Sequence, residues 1–189
     1  MAVISSIFPS SGPQSGMNLV TLLGTGMGTN GDVVSVTLAS VVATIIQQTP
    51  RQIIVKAQAS GQAVSGPAVI ISPTTGTATS ATNYAYNPTP IIQQVSPNSI
   101  PLAGQVQVTI VGSNQLGNGS DITSVTLSGV PVNSIEWQNA TMVIVMAAST
   151  STETSGAVIV NSTSFGGSVF GPHGFTYNAG MQLYKWTMW

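Results

Sequence analysis

His173 is the sole histidine of a 189-residue chain, and it sits in the glycine-bracketed stretch GPHGF. A Ser-His-Asp hydrolase would have to be assembled around it, but the position reads as a loop histidine beside a turn. The carboxylates are Asp32, Asp121, Glu136 and Glu153. A retaining glycosidase needs two within roughly 5.5 Å, and nothing in their spacing suggests such a pair. Asp32 and Asp121 occupy matching stretches, TNGD and GNGSD. Calcium would need several carboxylates per loop, whereas one apiece suits an Asx-type turn. There is no cysteine, hence no disulfide and no thiolate metal site. These residues predict no catalytic centre, no metal and no cofactor, and so no enzyme.

The chemistry the sequence does offer is modification from outside. Asn118 (NGS), Asn139 (NAT) and Asn161 (NST) each fit the N-glycosylation pattern N-x-[ST]. The stretch SPTTGTATSAT, residues 72–82, reads as a flexible loop before a closing strand or as an O-glycosylated loop carrying Thr74, Thr75, Thr77 and Thr79. Glycans would answer a difficulty of composition. Charged residues make up 4% of the chain, against about a quarter in an ordinary soluble domain. The net charge is -1, and a value near zero promotes association. The surface must therefore be glycosylated or covered in an assembly.

The same scarcity excludes partners. Arg51, Lys56 and Lys185 are the only basic residues, too few to neutralise a nucleic-acid backbone or to dock on anionic lipid. No apolar run reaches the roughly 20 residues of a membrane-spanning helix, so membrane insertion is not expected. The opening MAVISSIFPSS lacks the basic and long apolar regions of a secretory signal.

The elements that carry these residues come from a duplication. Pro9 and Pro97, Gly16 and Gly104, and Gly24 and Gly112 are each 88 positions apart. Val36 answers Val125 and Tyr86 answers Tyr177, so the offset drifts only by short loop insertions. In the second copy QVQVTIVG and SVTLSGVPV alternate with period two, and MVIVMAA and GAVIVN are β-branched runs bounded by small residues. Turn signals such as TNGD and GNGSD separate them. The pattern predicts an all-β chain of two tandem β-sandwiches, over residues 1–88 and 89–179. Pro88 and Pro90 stiffen the bridge NPTPIIQQ.

The first copy carries Ile4, Ile7, Pro9, Gly16, Gly24, Val36, Leu38 and the closing Tyr84-Ala85-Tyr86-Asn87. The second carries Ile92, Val95, Pro97, Gly104, Gly112, Val125, Leu127, Gly129 and Phe175-Thr176-Tyr177-Asn178. Residues of these types at these spacings resemble the IPT/TIG family of immunoglobulin-like domains, twice over. The resemblance implies an immunoglobulin-like sandwich for each copy. Where the family usually has phenylalanine after the strand-turn glycine, the chain has Met27 and Leu116. Such domains occur in cell-surface receptors, in secreted proteins, beside glycosidase domains and in some transcription factors. The basic loops of the last use are absent here.

After Asn178 the second copy should be complete, yet MQLYKWTMW follows. Residues 180–189 read as a C-terminal aromatic strand or tail. Its apolar members, Met181, Leu183, Tyr184, Trp186, Met188 and Trp189, are candidates for a subunit interface. The tail either folds back on its own module or adds to a sheet edge of a neighbouring copy. A tail at one end that fits a surface at the other makes a head-to-tail contact that propagates. The sequence thus predicts a non-enzymatic structural subunit of an extracellular, glycosylated fibre or surface layer, with copies of itself and covalent glycans as partners. The alternative is a secreted or cell-surface module that binds a glycan or protein. Trp137, in SIEWQNA, is a candidate platform for that role and is otherwise a strand residue packed on its own module.

Overall fold

The computed structural model describes residues 2–28 and 31–179, and all regular structure among them is β-strand. The chain divides into two compact units, with the change at Thr89/Pro90. In the first unit the strands are β1 (Val3–Phe8), β2 (Ser11–Pro13), β3 (Leu19–Thr25), β4 (Ser35–Leu38), β5 (Val41–Gln48), β6 (Gln52–Lys56), β7 (Val64–Ser72) and β8 (Gly76–Asn87). Period-two alternation sets their faces. In β6, Ile53 and Val55 are buried while Gln52, Ile54 and Lys56 are not.

The strand order is β1-β3-β6-β5-β4-β7-β8-β2. β5 joins the two halves: its start pairs with β4 (Val41 opposite Leu38) and its end with β6 (Gln48 opposite Ile53). The sheet therefore folds over on itself, and both halves bury their inward side chains in one core. Leu22, Ile53 and Val55 come from one half, and Leu38, Ile70, Tyr84 and Tyr86 from the other.

The second unit repeats the plan with β9 (Ile91–Ser96), β10 (Ser99–Pro101), β11 (Gln107–Ser113), β12 (Ile122–Leu127), β13 (Val130–Pro131), β14 (Ser134–Gln138), β15 (Met142–Met146), β16 (Thr154–Ser162) and β17 (Gly166–Asn178). The one change is that β13 and β14 replace the single strand β5. Pro131 ends β13 and brings no N–H to the ladder. The unit therefore has two separate sheets, β10-β17-β16-β12-β13 and β14-β15-β11-β9. Val108, Ile110, Val143 and Val145 face Leu127, Val158, Phe175 and Tyr177 across its core. Met27 and Leu116 are fully buried, so two flexible aliphatic side chains fill the place of the aromatic.

Residues 76–82 belong to β8, which corrects the reading of 72–82 as a flexible loop. Ser72 pairs with Gly76 across a tight turn, and Ile71 with Thr77. Small residues are no obstacle there, because Ala78 and Ser80 are the ones that point inward.

Two turns need left-handed backbone. β4 and β5 are joined by Ala39 and Ser40 alone, at φ 47 and 68, and β12 and β13 by Ser128 and Gly129, at φ 52 and 81. Positive φ at both central residues is the hairpin turn that matches strand twist. Gly16 and Gly104 have φ 71 and 64. A Cβ on either would lie 2.5 Å from the Gln58 carbonyl carbon or 2.4 Å from the Ala148 oxygen.

Each core also contains tyrosine. The Tyr84 hydroxyl bonds Asn18, whose Nδ2 donates to it at 2.9 Å. In the second unit the equivalent positions are Val106 and Phe175, a polar pair exchanged for an apolar one. Such a double exchange leaves no orphaned group. The buried hydroxyls of Tyr86 and Tyr177, at equivalent positions, have no hydrogen-bond partner among the described residues. Burial pushes the Tyr86 phenol up to about 12, and neighbouring Tyr84 adds to the rise. Burial also raises Tyr177, and raises Tyr84 against the opposing pull of Asn18.

Two outcomes follow from this packing. Ser40→Gly relieves a left-handed conformation worth about 1 kcal/mol, and should raise the urea midpoint. A phenol whose folded pKa lies above its unfolded value of about 10 stabilises the fold fully below that pH. That contribution is lost as pH rises through about 12. Tyr86→Phe should therefore leave the neutral-pH melting temperature unchanged or higher, and reduce the loss of stability measured between pH 10 and 12.

Candidate functional site

The residues most able to do chemistry meet at one end of each unit, where the loop before β4 or β12 crosses the β7–β8 or β16–β17 hairpin. In the first unit Gln48 Nε2 donates to Asp32 Oδ1 at 3.0 Å and to the Met27 carbonyl at 3.3 Å. Its Oε1 accepts from the N–H of Val33 at 3.2 Å. The Thr74 hydroxyl donates to Asp32 Oδ2, and lies 3.1 Å from the Ser72 hydroxyl. In the second unit Asp121 Oδ1 accepts from the N–H of Asn118 at 2.7 Å, and Oδ2 accepts from the Ser162 hydroxyl at 2.8 Å. Gln138 Oε1 accepts from the N–H of Ile122 at 3.0 Å.

The two constellations use equivalent positions, Asp32 with Asp121, Gln48 with Gln138 and Ser72 with Ser162, but the hairpin hydroxyl that reaches the carboxylate is Thr74 in the first unit and Ser162 in the second. Each carboxylate fastens an irregular loop to the hairpin opposite. Gly28 and Gly117 allow this approach, since a Cβ on either would fall 1.9 or 2.5 Å from the Asp Oδ1. The sequence reading placed these carboxylates in Asx-type turns. The observed partners are a hairpin hydroxyl and a glutamine in the first unit, and a hairpin hydroxyl with a backbone N–H three residues earlier in the second. The glutamines had no signal in the sequence beyond their equivalent positions.

Beside the first clamp lies an open hollow of about 330 Å³ lined by Gly26, Gly28, Asp32, Pro50, Thr74 and Thr75. In the second unit a hollow of about 320 Å³ lies between β12 and β14, lined by Thr123, Ser124, Val132, Asn133 and Ile135 among others. Neither contains a titratable pair. Among the described residues no three His, Cys, Asp or Glu side chains gather where a metal could bind. His173 is exposed on β17, and Glu136 is exposed on β14, where it accepts the Ser134 hydroxyl.

The remaining candidates separate by position. Asn118 is exposed in the loop before β12, Asn139 lies in the β14–β15 turn, and Asn161 is within β16. Thr74 and Thr75 form the β7–β8 turn, and Thr77 and Thr79 are exposed on β8. The Thr75 hydroxyl is buried without a partner. Trp137 stands on β14 with 44% of its surface in water. The predicted interface residues Met181, Leu183, Tyr184, Trp186, Met188 and Trp189 lie outside the described residues.

Removing the clamp tests its role. Asp121→Ala leaves the Asn118 N–H and the Ser162 hydroxyl without this acceptor, at a cost of about 1–3 kcal/mol. Amide hydrogen exchange should accelerate over residues 113–122 and stay unchanged in the first unit.

Comparison with known proteins agrees with the architecture. A family model described as IPT/TIG domain matches residues 2–86 and again 90–177. Among curated protein sequences there is no match. A crystal structure of the full extracellular region of plexin A4 superposes with a TM-score of 0.66 at 22% identity, over 94% of this chain and 16% of that one. A second plexin A4 crystal form gives 0.63 at 21% identity, over 94% of this chain and 18% of that one. The chain thus spans less than a fifth of these relatives, and the likeness is one of fold. SGBP-B from a complex xyloglucan utilization locus in Bacteroides uniformis aligns over 92% of this chain and 49% of its own at 19% identity, with a TM-score of only 0.36. With nearly the whole described chain covered by two copies of one domain model, this protein belongs to the IPT/TIG domain family.

Proposed function

We propose that this chain is a non-enzymatic structural subunit of an extracellular, glycosylated fibre or surface layer, joined head to tail through its C-terminal residues 181–189. The observation that carries the reading is an asymmetry of exposed apolar surface. Of the twelve large apolar side chains that the described residues leave exposed, nine belong to the first unit and three to the second. An association surface therefore belongs on the first unit. Phe8, Leu19, Leu23 and Ile46 are 74%, 56%, 42% and 56% exposed on or beside the sheet β1-β3-β6-β5. The register sets Phe8 opposite Thr21 and Thr21 opposite Ile54, so Phe8 shares the outer face with Leu19 and Leu23, which stand two residues to either side of Thr21; Ile46 is exposed at the bulge of β5. Lys56 is the only charged residue on these four strands. β1 is the edge strand of that sheet, and an edge accepts an added strand.

A nine-residue segment with Tyr184, Trp186 and Trp189 is a suitable donor for such a face. Each aromatic ring that docks buries about 150–250 Å². The extracellular location is carried over from plexin A4, whose extracellular region shares the fold. The lack of a charged surface supports it, since glycans and assembly both substitute for charge.

A second reading rests on Trp137, an aromatic half in water on edge strand β14. It makes the chain a binding or adhesion module for a glycan or protein.

Electron microscopy of the intact chain beside one truncated after Gly180 separates the two. The proposal expects filaments or sheets that vanish on truncation, with both units still folded by circular dichroism. Monodisperse particles from both samples would sink it and turn attention to glycan arrays with Trp137→Ala as the first variant.

A further inference from the structure

We propose that Asn118 and Asn139 accept N-linked oligosaccharide and that Asn161, the third sequon, does not. The three share one sequence pattern but not one geometry. Asn139 opens the turn between β14 and β15. Its Oδ1 accepts from the N–H of Thr141 at 2.8 Å and of Met142 at 2.7 Å, and the Thr141 hydroxyl lies 3.4 Å away. Asn118 is held in the same way: its Oδ1 accepts from the N–H of Ser120 at 3.1 Å, with the Ser120 hydroxyl at 3.4 Å. Both side chains thus close an Asx turn, and both draw the sequon hydroxyl onto the amide oxygen. Donors on the oxygen polarise the amide. At Asn139 the side-chain contacts among the described residues all fall on Oδ1, and none on Nδ2.

These turns are local: the contacts that close them span two or three residues. They also stand at the surface. Asn118 and Ser120 are exposed, as is Thr141. A bulky, hydrated group can be carried at either turn without disturbing a strand.

Asn161 differs on every count. It lies within β16, opposite Ser124 of β12. Its Nδ2 donates to the Ser124 hydroxyl at 3.0 Å, and its carbonyl accepts from Thr123 at 3.2 Å. A Cβ on Gly167 would lie 2.9 Å from its Oδ1, so β17 closes the other side. The middle residue of the sequon, Ser162, is buried and bonded to Asp121. A saccharide at this nitrogen would have to displace the contact between strands.

The reaction is a group transfer from a polyisoprenyl pyrophosphate-linked oligosaccharide. The Asn Nδ2 attacks the anomeric carbon, forming a C–N bond as the anomeric C–O bond breaks. The polyisoprenyl pyrophosphate departs, and the amide gives up one proton. The assignment rests on the secretory origin within the proposed function, but not on fibre formation.

The full chain secreted from a eukaryotic host is released from its glycans by peptide N-glycosidase in heavy-oxygen water and mapped by mass spectrometry. The expected result is isotope-marked Asp at positions 118 and 139 and unmarked Asn at 161. Ser120→Ala and Thr141→Ala should each remove one glycan step from the intact mass, while Thr163→Ala should remove none. A mark at 161, or the absence of a mark at 118 or 139, overturns the assignment. That outcome would stand whether or not the same chain forms filaments.

Discussion

The closing strand of each unit drives two aromatic rings between facing sheets, and the rest of each sandwich is arranged around them. Tyr84 and Tyr86 meet edge to face with centroids 5.0 Å apart, and Phe175 and Tyr177 do the same at 5.2 Å. All four rings are buried. Rings two apart on a strand share a face, so the motif Tyr/Phe-x-Tyr-Asn commits one strand to the core. The same strand receives a short parallel partner, β2 on β8 and β10 on β17. It also forms the hairpin whose tip is gripped by Asp32 or Asp121. Ring burial, strand pairing and loop clamping thus converge on one element.

With so few charges, polar groups at the loops must satisfy one another. Hydroxyls, amides and backbone groups do most of this, and the carboxylates Asp32 and Asp121 serve as acceptors inside loop networks. Asp32 is held by the Thr74 hydroxyl and the Gln48 amide, and Asp121 by the Ser162 hydroxyl and the Asn118 N–H. The first unit exposes apolar side chains on a sheet face, and the second exposes the Asx turns of Asn118 and Asn139.

Much of the architecture was legible because the signal was doubled. The strand alternation and the closing aromatic motif each appear twice, in copies related by an offset that starts at 88 residues, and a pattern with period two permits one core face per strand. What the sequence hid has specific causes. Ala39 and Ser40 adopt left-handed φ in a hairpin turn, yet neither is a residue that announces one; the second copy, with Gly129, does. The run of Ser, Thr and Ala in residues 76–82 resembled a loop because its inward residues, Ala78 and Ser80, are small. The division of β5 into β13 and β14 depends on Pro131 and the two residues after it. The clamps escaped notice because their partners are separated by 16, 41 and 42 positions and meet only in the fold. Three sequons looked alike, and only the strand around Asn161 distinguishes it.

The central claim is that this chain associates through neutral, apolar surface. Sedimentation velocity of the intact chain, over a range of protein concentrations and from about 0.01 M to 1 M salt, tests it directly. Charge-driven contacts are screened across that range as the Debye length falls from about 30 to 3 Å, whereas burial of apolar area is not. The account predicts a sedimentation coefficient that rises with protein concentration and is undiminished by salt. A single monomer species at every concentration, or dissociation on adding salt, would contradict it.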